Sequence, residues 1–567
     1  AQNHPSVVMY TMNHNALSYG GSSDPDRIDG LHNERGEIGP RLYAGTERGL
    51  LVQSIVEGFD PTRVVYHHSS GNLGNMHTNN LYLNFTPIRE VSDWFEHWAT
   101  EGVKPLLLCE YDTPYDLDWT MYRGWINGQR SFGSTPVKWE YCPAEWASQF
   151  LGDKGFDLPE TDKANLRWEA NNFRTRDSWY RWDYPRAIVG ASTQGNPIKQ
   201  QVRGMYITDN VRAFRTWGVS CYNQFSYGSF WSLREGVNRG RQDFAVDWDQ
   251  LQRPGFSPDY VDRPHENMAT AYEAEDWIPG AAARALYRNS MPLLAYIGGK
   301  AERFTTKDHN ALPGQELHKQ LIVINNSRET VTADCSWSLG LPQPLAGQTS
   351  VTIEPGLQER IPLAFRLPEG LSAGAYSLTA VVRFSTGETQ EDAFQVDVMA
   401  PPPAAAPASG AQIALFDPAG ETARLLTALG VSFRPVAADA VPDGYDVLVV
   451  GKGALTVDGP APDISRLRDG LRVVMFEQKA DVLEGRFGFR IAEYGLRRAF
   501  ARVPDHPLLA GVSTENLHDW QGAATLLPPR LEGYTIRQRS GEKLKQWCGI
   551  EMTRRARCGN WGSVASV

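Results

Sequence analysis

No stretch of about 18 apolar residues occurs anywhere in the chain, which excludes a membrane-spanning helix. Cysteine is scarce, with six in 567 residues (Cys109, Cys142, Cys221, Cys335, Cys548 and Cys558). None stands in CxxC or CxxH spacing, which excludes a zinc ribbon and a dense disulfide framework. There is no basic excess either. Lys and Arg number 56 against 66 Asp and Glu, a net charge of −10, so nucleic acid is not the expected partner. The chain opens at Ala1 with neither Met nor a charged-then-apolar leader, and its first residues already read as the approach to a strand. The expectation is that natural sequence lies upstream together with any export signal, which leaves a secreted or periplasmic address open.

What the chain has in quantity is aromatic side chains: 17 Trp, 22 Tyr and 22 Phe. Flat rings serve as sugar-stacking surfaces, but large cores use them too. At about 150 residues per domain, the length predicts three or four units. Residues 1–296 alternate apolar runs (6–12, 63–67, 80–83, 105–110 and 219–225) with amphipathic stretches such as 49–56 and 91–98. Apolar runs that each end in a polar cluster suit parallel strands buried on both faces, and such strand ends are where the chemistry is placed. An insertion at about 112–216 far exceeds an ordinary strand-to-helix loop. It carries seven Trp between Trp119 and Trp182, which read either as a wall over a site or as a subdomain with its own aromatic core. Residues 297–398 change to alternating strands with Gly/Pro turns, the texture of an immunoglobulin-like β-sandwich. A Pro/Ala linker at 399–410 leads into 411–567, which reads as a flavodoxin-like α/β domain. The fold class expected is α/β multidomain.

The motif Asn3-His4-Pro5-Ser6-Val7-Val8-Met9-Tyr10-Thr11-Met12-Asn13-His14-Asn15 resembles the fourth-strand signature of glycoside hydrolase family two and its clan A relatives. Asp60-Pro61-Thr62-Arg63-Val64-Val65 is similar to that family's lead into strand five, Asn79-Asn80-Leu81-Tyr82 to the end of strand six, and Lys104-Pro105-Leu106-Leu107-Leu108-Cys109-Glu110-Tyr111 to strand seven. The four pieces fall in order within about 110 residues, and the resemblance covers roughly 3–300. It implies a (β/α)8-type barrel, here without its N-terminal strands, and retaining hydrolysis of β-glycosides such as β-galactosides or related oligosaccharides. By resemblance Glu110 is the nucleophile, Tyr82 holds it ionised and Trp231, on a final strand ending near it, is the platform under the sugar ring. Retention needs a second group about 5–5.5 Å away to protonate the leaving oxygen.

That second group is where the sequence departs from the family. Asn15 stands where the acid/base Glu belongs. His14 is one replacement, since imidazole titrates near neutrality. A loop carboxylate among Asp24, Asp26, Asp29, Glu34 and Glu37 is another, with Glu34 singled out by its preceding Asn33. Loss of catalysis, leaving a carbohydrate-binding or scaffolding protein, is the third. Asn13 and Asn15 are candidate sugar ligands, as are His67 and His68 at the end of the fifth strand. Adjacent strand residues face opposite ways, so these two histidines do not share a metal, and neither metal nor cofactor is expected. The C-terminal domain resembles the amidotransferase-like domain of family forty-two β-galactosidases, which implies a role in homo-oligomers. Glu477-Gln478-Lys479 follows its 473–476 strand where a working glutaminase needs a Cys, so that activity is not expected.

Overall fold

The computed structural model describes residues 7–11, 28–31, 40–81, 88–111, 151, 154, 197–224, 230–237, 242–243, 260–261, 273–401, 410–487, 500–501 and 503–519. β1 (Met9–Thr11) pairs in parallel with β2 (Val64–Tyr66), with α1 (Pro40–Phe59) between them. β3 (His77–Leu81), β4 (Leu106–Tyr111) and β5 (Cys221–Gln224) form a second parallel sheet in chain order. Its crossovers contain α2 (Ile88–Asp93), α3 (Glu96–Glu101) and α4 (Pro197–Trp217).

β4 shows why its sequence is apolar without alternation. Leu106 and Leu108 pack outward on Trp94, Phe95 and the α4 residues Val202, Tyr206 and Phe214. Leu107 and Cys109 pack on the other face with Met76, Met9, Tyr66 and Cys221. Burying each Leu in this way is worth about 1.5–3 kcal/mol. The amphipathic stretch 91–98 is two short helices instead of one, because the chain turns at Trp94 and Phe95 to drive both rings into the core. Trp231 opens β6 (Trp231–Leu233), antiparallel to β9 (Trp277–Pro279), while β7 (Gln242–Asp243) and β8 (Tyr260–Val261) make a separate short pair.

Past α5 (Ala281–Ser290), two antiparallel sheets face each other. One holds β10 (Leu293–Gly298), β12 (Glu316–Asn325) and β15 (Gln358–Arg366). The other runs β11 (Asn310–Ala311), β17 (Thr389–Val398), β16 (Gly374–Phe384), β13 (Val331–Leu339) and β14 (Leu345–Ile353), where only the short β11 joins in parallel. Leu321, Val323, Ala333, Leu378 and Val396 fill the space between them. The texture change expected at 297 falls inside β10. Leu293, Ala295 and Ile297 point into the sandwich while Leu294 and Tyr296 pack toward α4, so β10 is buried on both faces and reads like a strand of the preceding region. Arg212 fixes the junction, donating to both carboxylate oxygens of Asp392 at 3.2 and 2.9 Å. Arg288 Nη1 adds a bond to Gln390 Oε1 at 2.7 Å.

The last sheet is wholly parallel, in the order β19 (Arg434–Pro435), β18 (Ile413–Phe416), β20 (Val447–Val450) and β21 (Arg472–Met475), with α6 (Glu421–Ala428) and α7 (Ala480–Phe487). After β21, Gln478 is buried and structural: its Oε1 accepts from Leu455 N at 3.0 Å and its Nε2 donates to Gly451 O at 2.7 Å. Residues 503–519 return to the sandwich, where Asn310 and Asn516 exchange hydrogen bonds of 3.1 and 2.9 Å.

Candidate functional site

A β-bulge at the C-terminal end of β4 sets the orientation of Glu110. Asn79 lies opposite Leu108, yet Asn80 lies opposite Glu110, so β4 carries one extra residue against β3. The same extra residue appears against β5, between Leu108 and Tyr111. Strict alternation from Leu106 would place Glu110 outward and Tyr111 inward. Tyr111 instead packs outward, edge-on to Phe214 at 5.2 Å, with its hydroxyl on Asn210 Oδ1 at 3.2 Å. The bulge therefore turns Glu110 away from the helix layer, as bulges beside functional sites do. Asn223 Nδ2 reaches the Cys109 carbonyl at this irregularity, at 3.2 Å.

Glu110 Oε1 meets His68 Nε2 at 3.2 Å, with both side chains mostly shielded from solvent. The loop that carries His68 is pinned. Thr78 Oγ1 donates to the His67 carbonyl and accepts from Ser70 N at 3.0 Å, while Ser70 Oγ donates to His68 O at 3.1 Å. Ser69, between them, holds φ at +49°, a left-handed value that a serine keeps only where its surroundings enforce it. Beside Glu110 in register, Asn80 is fully buried, and neither its amide nitrogen nor its amide oxygen has a hydrogen-bond partner. The Ser69 hydroxyl is in the same condition. Buried polar atoms left unpaired are costly unless a ligand or water completes them. Asn80 and Ser69 were not singled out by motif, because a buried Asn in a strand looks the same in sequence whether or not a neighbour satisfies it.

His67 and His68 lie just past the end of β2, in the loop, and turn different ways. His67 is fully buried with Nε2 at 2.9 Å from Gln53 Oε1 of α1, and burial pushes its pKa down. Its ring is thus turned to α1, while His68 is the histidine that meets Glu110. Asp29, one of the loop carboxylates considered for proton donation, sits near α3. It accepts from Leu31 N at 2.7 Å, pairs with His97 of α3 at 2.9 Å and binds Val103 N through its carbonyl at 2.8 Å. That places it at the N-terminal approach to β4, the full length of the strand from Glu110. Trp231, the first residue of β6, packs against the helix-face cluster. Asn13, His14, Asn15, Glu34 and Tyr82 lie outside the described residues, as do 520–567 and the insertion apart from its two described positions, 151 and 154, and its α4 end.

The Asp-Pro-Thr-Arg motif builds a latch between β1 and β2. Asp60 accepts from Thr62 Oγ1 at 2.6 Å, Tyr10 OH at 2.9 Å and Arg63 Nη1 at 2.5 Å, and Arg63 Nε donates to Val7 O at 2.6 Å. The Thr62 bond is the largest influence on Asp60 and outweighs burial. With Tyr10 and Arg63 it holds the carboxyl well below the usual carboxylate range. A depressed folded pKa contributes stability that is present above the unfolded value near 4 and is lost as pH falls through the folded one. Asp60→Asn is therefore expected to lower the melting temperature at pH 7 and to flatten its fall between about pH 4 and 2. A wild-type slope in Asp60→Asn would show that the latch does not titrate with folding.

No family model matches the chain, and no curated protein matches it. Solved structures resemble parts of it. A family 123 glycoside hydrolase from Clostridium perfringens is 15% identical, with 22% of this chain and 30% of that one covered and a TM-score of 0.15. A β-glucosidase from Listeria innocua is 13% identical, with 19% and 16% covered and a TM-score of 0.14. A CARDB domain from Pyrococcus furiosus is 13% identical, with 19% and 86% covered and a TM-score of 0.15. Two of these three proteins are glycoside hydrolases, but likenesses of this size carry no argument about the site.

One group of potential metal ligands stands among the described residues, far from Glu110 in sequence: His309, His518 and Asp519. The two imidazoles stack with centroids 4.0 Å apart and planes 12° from parallel. His309 turns its ring nitrogens to the carbonyls of Lys307 and Glu515 at 3.1 and 2.9 Å. Parallel rings aim their lone pairs side by side instead of at one point, so the arrangement joins residues 503–519 to the sandwich and is not a preformed ion site.

Proposed function

We propose that the chain is a glycoside hydrolase in which Glu110 attacks the anomeric carbon of a β-glycoside. The observation that carries this is the bulge that turns the Glu110 carboxylate into a polar recess with His68 and the unsatisfied Asn80 amide. In the first step a Glu110 oxygen bonds to the anomeric carbon, the glycosidic C–O bond breaks and the leaving oxygen takes a proton from a second group. In the next step water, deprotonated by that group, releases the sugar and regenerates the carboxylate. His68 touches Glu110 directly, too close for a proton donor on the opposite side of the scissile bond, so its part is to orient the carboxylate. His14 and Glu34 are the candidates for the acid/base. Asn80 and Ser69 supply hydrogen-bonding atoms for sugar hydroxyls, alongside Asn13, Asn15 and Tyr82. We read the two parallel sheets as the later strands of a (β/α)8-type barrel, and the C-terminal α/β domain as a surface for self-association.

Asn15 in place of the family's Glu favours one competing reading, a binding protein that has lost its acid. Incubation with a 2-deoxy-2-fluoro aryl β-glycoside separates the two. Such a reagent forms the covalent intermediate and stalls there. The expected result is a mass increase of one fluorosugar on the peptide containing Glu110. Binding of the sugar without any covalent adduct would favour the second reading.

A further inference from the structure

Cys109 is the extra residue of the bulge. Leu108 lies opposite Asn79 and Glu110 opposite Asn80, so Cys109 has no register partner on β3. An extra residue interrupts the ladder and leaves backbone groups to be satisfied in another way. Here the side chain does it. Cys109 is a buried, free thiol. Its sulfur takes the backbone N–H groups of Asn79 on β3 and of Ser69 in the loop after β2, and its own proton points to the Leu107 carbonyl at 3.9 Å. Burial pushes the thiol up to about 11, so it stays protonated at neutral pH and is a poor nucleophile. Toward β5, the Cys109 carbonyl accepts from Asn223 Nδ2 at 3.2 Å.

Each residue in this arrangement is the chain neighbour of a group in the recess. Ser69 follows His68, Asn79 precedes Asn80, and Cys109 itself precedes Glu110. On the reading of Glu110 as the nucleophile, on which this rests, we propose that the Cys109 thiol is a positioning residue of the site. It is the peg that sets His68 and Asn80 relative to the carboxylate. Ser69 shows what the peg holds, since its φ of +49° is kept only under constraint and its N–H is one of the two the sulfur takes. Without that bond the turn is free to relax, which moves His68 off its 3.2 Å contact with Glu110. Thr78 still ties the His67 carbonyl and Ser70 N, so the loss is of alignment and not of fold. Misplacing a reacting group by about 1 Å costs up to about 100-fold in rate. Sulfur suits the task, because one large, polarizable atom meets donors on two segments and still packs in an apolar layer with Leu107 and Tyr66.

Two measurements on the full chain test this, with Cys109→Ala removing the sulfur and Cys109→Ser keeping a donor and acceptor. The first needs no turnover. Hydrogen exchange resolved to single amides is expected to be about 10-fold faster at Ser69 and Asn79 in Cys109→Ala, with the sandwich amides unchanged. Unchanged exchange at both amides would overturn the peg. The second is turnover of an activated aryl β-glycoside. Cys109→Ala is expected to lower kcat about 10-fold with KM within about 3-fold, and Cys109→Ser to recover most of the loss. Cys335→Ala, altered within the sandwich core, is expected to keep wild-type kcat. Because the thiol acts through the loop, His68→Asn is expected to cost much less in Cys109→Ala than in wild type. Additive costs, or wild-type kcat in a Cys109→Ala protein whose two amides exchange faster, would overturn the positioning role and leave Glu110 as the nucleophile. Faster exchange at both amides together with a wild type that has no turnover would overturn the reading of Glu110, and the positioning role with it. Should Cys109→Ala not fold, Cys109→Val, which keeps a side chain there without an acceptor, carries the same expectations.

Discussion

Glu110→Gln is expected to lower kcat/KM for activated aryl β-glycosides by about 10³-fold or more, the scale on which loss of a covalent nucleophile is felt. Gln preserves the shape of the side chain and can still accept a hydrogen bond where Glu110 meets His68 at 3.2 Å, so the recess keeps its form. What it loses is the charge and the attacking oxygen. Aryl leaving groups of low pKa need little protonation, so this measurement is insensitive to whether His14, Glu34 or another group is the acid. Glu110→Ala extends the test. Azide added to that variant is expected to restore turnover and give a glycosyl azide of inverted configuration, because the small anion occupies the space the carboxylate left. A Glu110→Gln protein with wild-type turnover would remove Glu110 from the chemistry. A wild type with no turnover, binding sugar no differently from Glu110→Gln, would establish the binding-protein reading.

Phe214→Ala is expected to destabilise the parallel-strand region by about 3–5 kcal/mol, the cost of a large buried aromatic truncated to a methyl. Phe214 is fully buried on α4 and lies edge-on to Phe95 at 5.0 Å and to Tyr111 at 5.2 Å. Tyr111 is the residue whose outward packing defines the phase change at Glu110, so the cavity opens directly under the bulge. Urea unfolding followed by tryptophan fluorescence reads the loss, with Phe214→Leu expected at roughly half of it because more of the volume remains. A loss below about 1 kcal/mol in Phe214→Ala would mean that α4 does not support β4 in the way its contacts indicate. Where the protein still folds, activity should drop more than occupancy of the folded state explains, since Glu110 loses the anchor next to it.

Much of the parallel-strand region was legible in the residues. The run at 105–110 marks β4 unaided, because a strand buried on both faces must be apolar at nearly every position. The same property hid the start of the sandwich. β10 is covered by the sandwich core on one side and packs toward α4 on the other, so its composition matches the strands before it. The Asp60 motif was visible, but its purpose was not: a latch to Tyr10 fifty residues earlier exists only once β1 and β2 are paired. Which histidine would meet Glu110 was decided by the loop after β2: Gln53 of α1 took His67, and the pinned turn at 68–70 brought His68 to the carboxylate.

Glu110 shows the division most clearly. Sequence alone determined that a carboxylate ends an apolar strand, within motifs arranged in a recognisable order. Alternation counted from Leu106 would have pointed that carboxylate into the helix layer. Only the tertiary structure decided otherwise. The large ring of Tyr111 gains more from packing on Phe214 than from facing the polar recess, and the one-residue bulge lets it do so. A bulge is settled by packing on neighbouring strands and helices, so it leaves no local mark in the chain. The same packing brought Asn80 of β3 and His68 of the loop after β2 to the Glu110 carboxylate.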